Sequence, residues 1–219
     1  MAKHKISRKS TRIDMTAMCD VAFLLLSFFV MTATAKQPEP KPVDPPASTV
    51  LDKLPEEGVA TISVGDKQVF FTIPRGIRQG TLDRMAELHP VLKQLTPEQR
   101  KVFLNMDGFG VPVNQLGGLL KLSSDARNKP GFQKGIPYDS INGELGDWVK
   151  QAREAEKELL DKRKAEGKLE DEKDYKDLDI AIKGDAKEDY PTIKRIIDIL
   201  QDQKKNKFFL VTGLRNEDF

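Results

Sequence analysis

One carboxylate stands where a carboxylate is costly. Asp20 lies inside Met15–Ala35, MTAMCDVAFLLLSFFVMTATA, the stretch of this 219-residue chain that is apolar enough to cross a bilayer. A charged side chain in hydrocarbon costs about 2.5–3.5 kcal/mol on insertion scales, and a plain anchor gains nothing from carrying one. The chemistry open to such a group is proton exchange. Sealed from water, a carboxyl keeps its proton because desolvation penalises the charged form; given a wet path to one side, it ionises. Thr16, Ser27 and Thr32 are candidate pore-lining hydroxyls in the same stretch, and Thr34 is a fourth. Each has a competing reading, a hydrogen bond to its own helix backbone. The competing reading of Asp20 is a hydrated cap at the helix start. One acidic residue per chain at depth leaves a proton route that partner side chains must complete.

Other chemistries find little support. Cys19 is the single cysteine, so no intrachain disulfide frames the fold; a free membrane thiol fits it better than an intermolecular bridge. His89 has no Cys or second His nearby, which argues against a metal site, and His4 belongs to a solvated tail. Gly108-Phe109-Gly110 and Gly117-Gly118 lack the Gly-Lys-Ser/Thr continuation of a phosphate loop. No motif places a serine with a base, so neither an enzyme nor a cofactor is expected. Net charge is +2, which gives no electrostatic case for nucleic-acid binding.

The elements around Asp20 follow from charge and periodicity. Residues 1–14 hold five basic side chains, Lys3, Lys5, Arg8, Lys9 and Arg12, whereas Lys36–Gly58 holds three basic and five acidic ones. The positive-inside rule then keeps the N-terminus in the cytoplasm and exports everything beyond the span. Twenty-one residues of helix reach about 31 Å, close to the hydrocarbon thickness. A signal peptide with Ala33-Thr34-Ala35 as its cleavage site is the rival reading; it would release a soluble secreted domain. The organisation expected is a basic cytoplasmic tail (1–14), a transmembrane helix (15–35), a Pro-rich linker (36–58) and an exported domain (59–219). Five prolines in Lys36–Ala47 favour polyproline II and a spacer of about 37 Å.

The exported part is expected to be α+β, a small two-layer domain. Val59–Pro74 alternates as a hairpin around Gly65-Asp66-Lys67. Residues 75–141 read as a helical insertion: Thr81 caps a helix through Leu88, Thr96-Pro97-Glu98-Gln99 opens another, and Asn114 caps a third. Asn142–Glu166 carries an apolar stripe of Leu145, Trp148, Val149, Ala152 and Leu159. Its exposed face offers Glu158 and Lys162 as an ion pair. The charge run through Asp177 reads as solvated surface. Strand Leu178–Lys183, a helix from Pro191 to Gln203 with Ile193, Ile196, Ile197 and Leu200 on one face, and strand Lys207–Thr212 make a C-terminal βαβ unit.

Two segments resemble a known family. Ile13-Asp14-Met15-Thr16-Ala17-Met18-Cys19-Asp20-Val21 and the apolar run after it resemble the N-terminal signature of the ExbD/TolR family, in which a Thr-Pro and an aspartate open a single transmembrane helix. Leu178–Leu214, with Tyr190-Pro191-Thr192-Ile193 opening its helix, is similar to the family's C-terminal part. Together they cover about a third of the chain. Ala17 replaces the usual proline, and residues 75–142 exceed what the family's small domain needs; they suggest a further partner surface or a cell-wall contact. The resemblance implies a proton-driven inner-membrane motor subunit, with Asp20 at the family's essential aspartate. It also implies a homodimer whose two helices stand inside a ring of an ExbB/TolQ-like multi-helix protein. A TonB- or TolA-like effector is implied, and peptidoglycan is a further candidate partner. An alternative is a membrane-tethered adaptor without proton coupling.

Overall fold

The structure is a computed structural model, and it describes residues 15–33, 40–49, 54–55, 58–129, 131–139, 143–167 and 177–214. The basic tail, Thr34, the Ala33-Thr34-Ala35 junction beyond Ala33, and most of the charge run before Asp177 lie outside the described residues. The chain divides into two units, Met1–Gln37 and Pro38–Phe219.

The first unit is carried by helix α1 (Met15–Thr32), 18 residues long and without a buried residue. A helix this apolar normally hides one face in a core. Here eleven large apolar side chains, from Met15 to Met31, are exposed around it. It is long and apolar enough to cross a membrane.

The second unit is an α+β domain on a mixed sheet. Strands β2 (Val59–Gly65) and β3 (Gln68–Thr72) form the expected hairpin. Its turn is the two residues Asp66 and Lys67, both at positive φ (50° and 58°), the geometry that suits the twist of a tight hairpin. β2 also pairs in parallel with β4 (Asp179–Gly184), which pairs in parallel with β5 (Phe209–Leu210), giving the order β3-β2-β4-β5. Helix α7 (Tyr190–Asp202) crosses from β4 to β5 and completes the βαβ unit. Its Ile196 and Leu200 are fully buried, with Ile193 and Ile197 packed partly against the core. In β2, Ala60, Ile62 and Val64 point inward between half-buried neighbours, the period of two that a one-faced strand requires.

The helical residues 75–141 belong to the same core. Helices α2 (Arg78–Leu88), α3 (Pro97–Asn105) and α4 (Val113–Leu119) bury Leu82, Met85, Phe103 and Leu116. After the one-turn helix α5 (Ser124–Arg127), helix α6 (Glu144–Ala165) brings Trp148 against them, with ring centroids 4.7 Å from Phe109 and 6.1 Å from Phe103. Phe109 is no mere turn residue: it bridges Phe71 through paired backbone hydrogen bonds of 2.8 and 3.1 Å and covers the β3 edge. Gly110 must lie flat there, because a Cβ would run into the Phe70 ring.

Three local readings change. Thr81 is no cap: α2 begins at Arg78, and the buried Thr81 hydroxyl donates to Ile77 O at 2.8 Å. Arg78 sets this earlier start, its buried guanidinium donating to Ile73 O (2.7 Å) and Leu104 O (2.8 Å). Burial lowers the Arg78 pKa from its usual value, while Asp107 opposes that shift. Asn114 is no cap either, because α4 starts at Val113, whose N–H is taken by the Glu144 carboxylate at 2.7 Å. Glu158 meets Arg84 rather than Lys162. The Thr96 capping box forms as expected, with Thr96 N–H donating to Gln99 Oε1 (2.8 Å) and Gln99 N–H to Thr96 Oγ1 (3.3 Å).

Part of the expected spacer is packed on the domain. Val43 is buried. Lys41 Nζ donates to Gly65 O (3.0 Å) and to Asp66 (2.6 Å). The hydrogen bond and charge of Lys41 hold the Asp66 carboxyl below its ordinary value. Short strand β1 (Ala47–Ser48) pairs in parallel with β6 (Gly213–Leu214). Prolines cannot donate within a ladder, but the Pro46 carbonyl accepts from Gly213 N–H at 3.0 Å.

Asp177, expected on solvated surface, is an ionic hub. Arg153 grips both its oxygens (3.2 and 3.0 Å) and the nearly buried Lys205 adds a third contact at 3.2 Å. Burial pushes the Asp177 carboxyl up, but these cationic hydrogen bonds outweigh it and leave the pKa lowered. A depressed folded-state value contributes stability above the unfolded value of about 3.9, and that stability is lost as pH falls through the folded value. Glu156, raised mainly by burial, works in the opposite sense: its protonation relieves strain on acidification. Asp177→Asn should therefore lower stability by about 1–3 kcal/mol at neutral pH, Asp177 itself being a third exposed, and flatten the acid limb of a urea-unfolding series. An unchanged acid limb would remove Asp177 from that role.

Candidate functional site: a carboxylate on an apolar helix

Asp20 is the sixth residue of α1, about 8 Å along its axis from Met15. Its side chain is exposed, as is every residue around it. It is therefore on the body of the helix and not at an N-cap position, which would precede Met15. At 3.6 residues per turn, Thr16, Asp20 and Ser27 fall within about 40° of one another and form one polar stripe. Thr32 lies more than about 100° away, on another face. The spacing in the sequence already carries this stripe, and it separates Thr32 from the other two candidate hydroxyls.

The hydroxyl protons are engaged locally. Ser27 Oγ donates to Leu24 O at 2.9 Å and Thr32 Oγ1 to Phe28 O at 2.7 Å. Both oxygens keep lone pairs that can accept from water or from a partner. Ser27 sits about 10 Å above Asp20 along the axis, too far for a direct hydrogen bond. Within one chain, the stripe offers a single ionisable group with polar neighbours above and below it, on a helix whose remaining surface, Thr32 apart, is largely apolar. Such a surface can meet lipid or the walls of a helical partner at low cost, while the carboxylate needs a polar counterpart.

His89 gains a neighbour that sequence spacing could not reveal. Helix α6 places Asp147 Oδ2 3.7 Å from His89 Nε2. Among the described residues no three His, Cys, Asp or Glu side chains are grouped as a metal would require.

Comparison with curated proteins and with solved structures gave no match. The family model described as Biopolymer transport protein ExbD/TolR matches residues 7–214. That match takes in both segments with motif resemblance and the helical region between them. The chain belongs to the ExbD/TolR family of biopolymer transport proteins.

Proposed function

We propose that this protein is the proton-binding subunit of an inner-membrane energy-coupling complex, with Asp20 as the group that takes up and releases the proton. The observation that carries this reading is the placement of Asp20: a lone carboxylate on the body of an exposed, apolar, membrane-length helix. Membership of the ExbD/TolR family supports the transport role. In this reading two copies of α1 stand within an ExbB/TolQ-like ring, whose polar groups complete the route at Asp20. Thr16 and Ser27, on the same stripe, pass hydrogen bonds to water along it, and Thr32 serves a different face. The basic tail stays in the cytoplasm and the domain lies in the periplasm.

The energetics are adequate. One charge crossing 100 mV is worth about 2.3 kcal/mol, so a few protons per step can drive rotation or sliding of a helix. Protonated Asp20 faces the apolar wall; ionised Asp20 seeks water or a cation. Alternation between the two converts the gradient into motion, which the domain delivers to a TonB- or TolA-like effector or to peptidoglycan.

The test is Asp20→Asn as the only copy in cells, with membrane abundance confirmed by blot. Asn keeps size and polarity and cannot release a proton. Loss of energy-dependent transport or envelope integrity at normal abundance is expected. Full function would leave the tethered adaptor as the better account.

A further inference from the structure

Between α4 and α6 the chain concentrates positive charge. Residues 121–134 hold Lys121, Arg127, Lys129 and Lys134 against one carboxylate, Asp125. The three lysines are exposed and Arg127 is half-buried. None of the four enters an ion pair among the described residues, whereas Arg84, Arg100 and Arg153 elsewhere in the domain are matched to carboxylates. Among these cations stands Phe132, 49% exposed. The other phenylalanines of the domain's described residues are buried or half-buried, so this ring is out of place in water.

The loop holds Phe132 out by construction. Next to it, the Gln133 side chain is buried; its Oε1 accepts from Gly110 N–H at 2.7 Å and its Nε2 donates to Arg127 O at 3.1 Å. With Gln133 seated inward, its neighbours Phe132 and Lys134 are both exposed. Phe132 N–H donates to Lys129 O at 3.1 Å and closes the turn that carries the ring. On the other side, Gly135 N–H donates to Gly110 O (2.7 Å) and Ile136 N–H to Val69 O (2.8 Å), which fixes the loop to β3. Gly135, at φ 93°, packs so closely on the Val69 backbone nitrogen that a Cβ would collide there. Ring and charges are thus presented on an anchored loop, which lowers the ordering cost of binding.

We propose that this loop docks on the anionic phospholipid headgroups of a bilayer, with Phe132 entering the headgroup boundary and Lys121, Lys129 and Lys134 meeting the phosphates. Cations alone attract any polyanion; cations that frame an exposed aromatic ring suit a lipid interface, where charge and apolar surface are satisfied together. The chain also brings the loop to a bilayer. α1 is long and apolar enough to cross one, and a tethered module meets a neighbouring surface at a raised effective concentration. A soluble acidic partner would bind without that advantage. The inference rests on α1 lying in a membrane and is independent of proton exchange at Asp20.

The full-length protein is reconstituted into nanodiscs, and co-elution with the discs establishes that α1 is anchored before the loop is probed. Trp148 is the chain's single tryptophan and is fully buried, so Phe132→Trp, a conservative exchange at an exposed position, adds one reporter. Its fluorescence is read in discs made with brominated phosphatidylcholine, which quenches on contact. Quenching above the wild-type background is expected when phosphatidylglycerol is present, and none above it in phosphatidylcholine alone. Raising the salt from about 0.1 M to about 1 M shortens the screening length from about 10 Å to about 3 Å and should remove the quenching. Lys129→Gln combined with Lys134→Gln should remove most of it at unchanged thermal unfolding, whereas Asp20→Asn should leave it in place. Absence of quenching in the anionic discs would overturn the proposal and leave the patch to a soluble acidic partner. Equal quenching in phosphatidylcholine alone, or undiminished quenching in the lysine variant, would overturn it by removing charge from the contact.

Discussion

Replacing Asp20 with Leu is expected to improve membrane insertion and to abolish function. On insertion scales the exchange favours the membrane by about 3–4 kcal/mol near the centre of a helix, and somewhat less at the depth of Asp20. A protein that uses α1 only as an anchor would insert at least as well and work as before. A protein that uses Asp20 to exchange protons would insert better and lose coupling entirely. The opposed signs separate the two, because a general loss of expression moves both readouts down together. Membrane-integrated protein is measured by resistance to alkaline extraction, and function by complementation. Retained function in the Leu variant would favour the adaptor. The hydroxyls should matter far less, since Ser27 and Thr32 already satisfy their protons on the helix backbone.

Trp148→Ala should produce the largest loss of stability in the folded domain. The indole is fully buried and joins α6 to Phe103 and Phe109. Removing a buried aromatic typically costs about 3–5 kcal/mol, the lost burial plus the cavity left behind. Against a typical domain stability of about 5–15 kcal/mol, that is a large share, and Tm should fall by about 10 °C. Circular dichroism on the full-length protein in micelles follows the unfolding. Trp148→Phe should be milder, because it keeps a ring and removes an indole N–H that has no hydrogen-bond partner among the described residues. An unchanged Tm in the Ala variant would mean that residues 75–141 do not share one core with α6.

These two residues also mark what the sequence could and could not convey. α1, the hairpin, the Thr96 cap and the C-terminal βαβ unit were legible because each is written in local terms: an apolar run, a period of two, a cap, a period of 3.6. Asp20 was legible because a charge in an apolar run is conspicuous. Thr81 and Asn114 misled because cap residues also occur inside helices, and the true starts were set by distant partners. Arg78 reaches Leu104 O, and Glu144 reaches the Val113 N–H across 31 positions. The docking of Lys41–Ser48 was hidden by prolines, which suit a tether and an edge segment equally well. The Asp177 hub and the His89–Asp147 pair depend on long-range packing that spacing does not encode.

Proton flux through the reconstituted complex tests the role of Asp20 most directly. The protein would be co-purified with the ExbB/TolQ-like partner of the proposed complex and placed in liposomes carrying an internal pH dye, then energised with a potassium diffusion potential. Wild type should pass protons, and Asp20→Asn, assembled in equal amount, should pass none above the level of empty liposomes. Equal flux in the two would contradict proton exchange at Asp20.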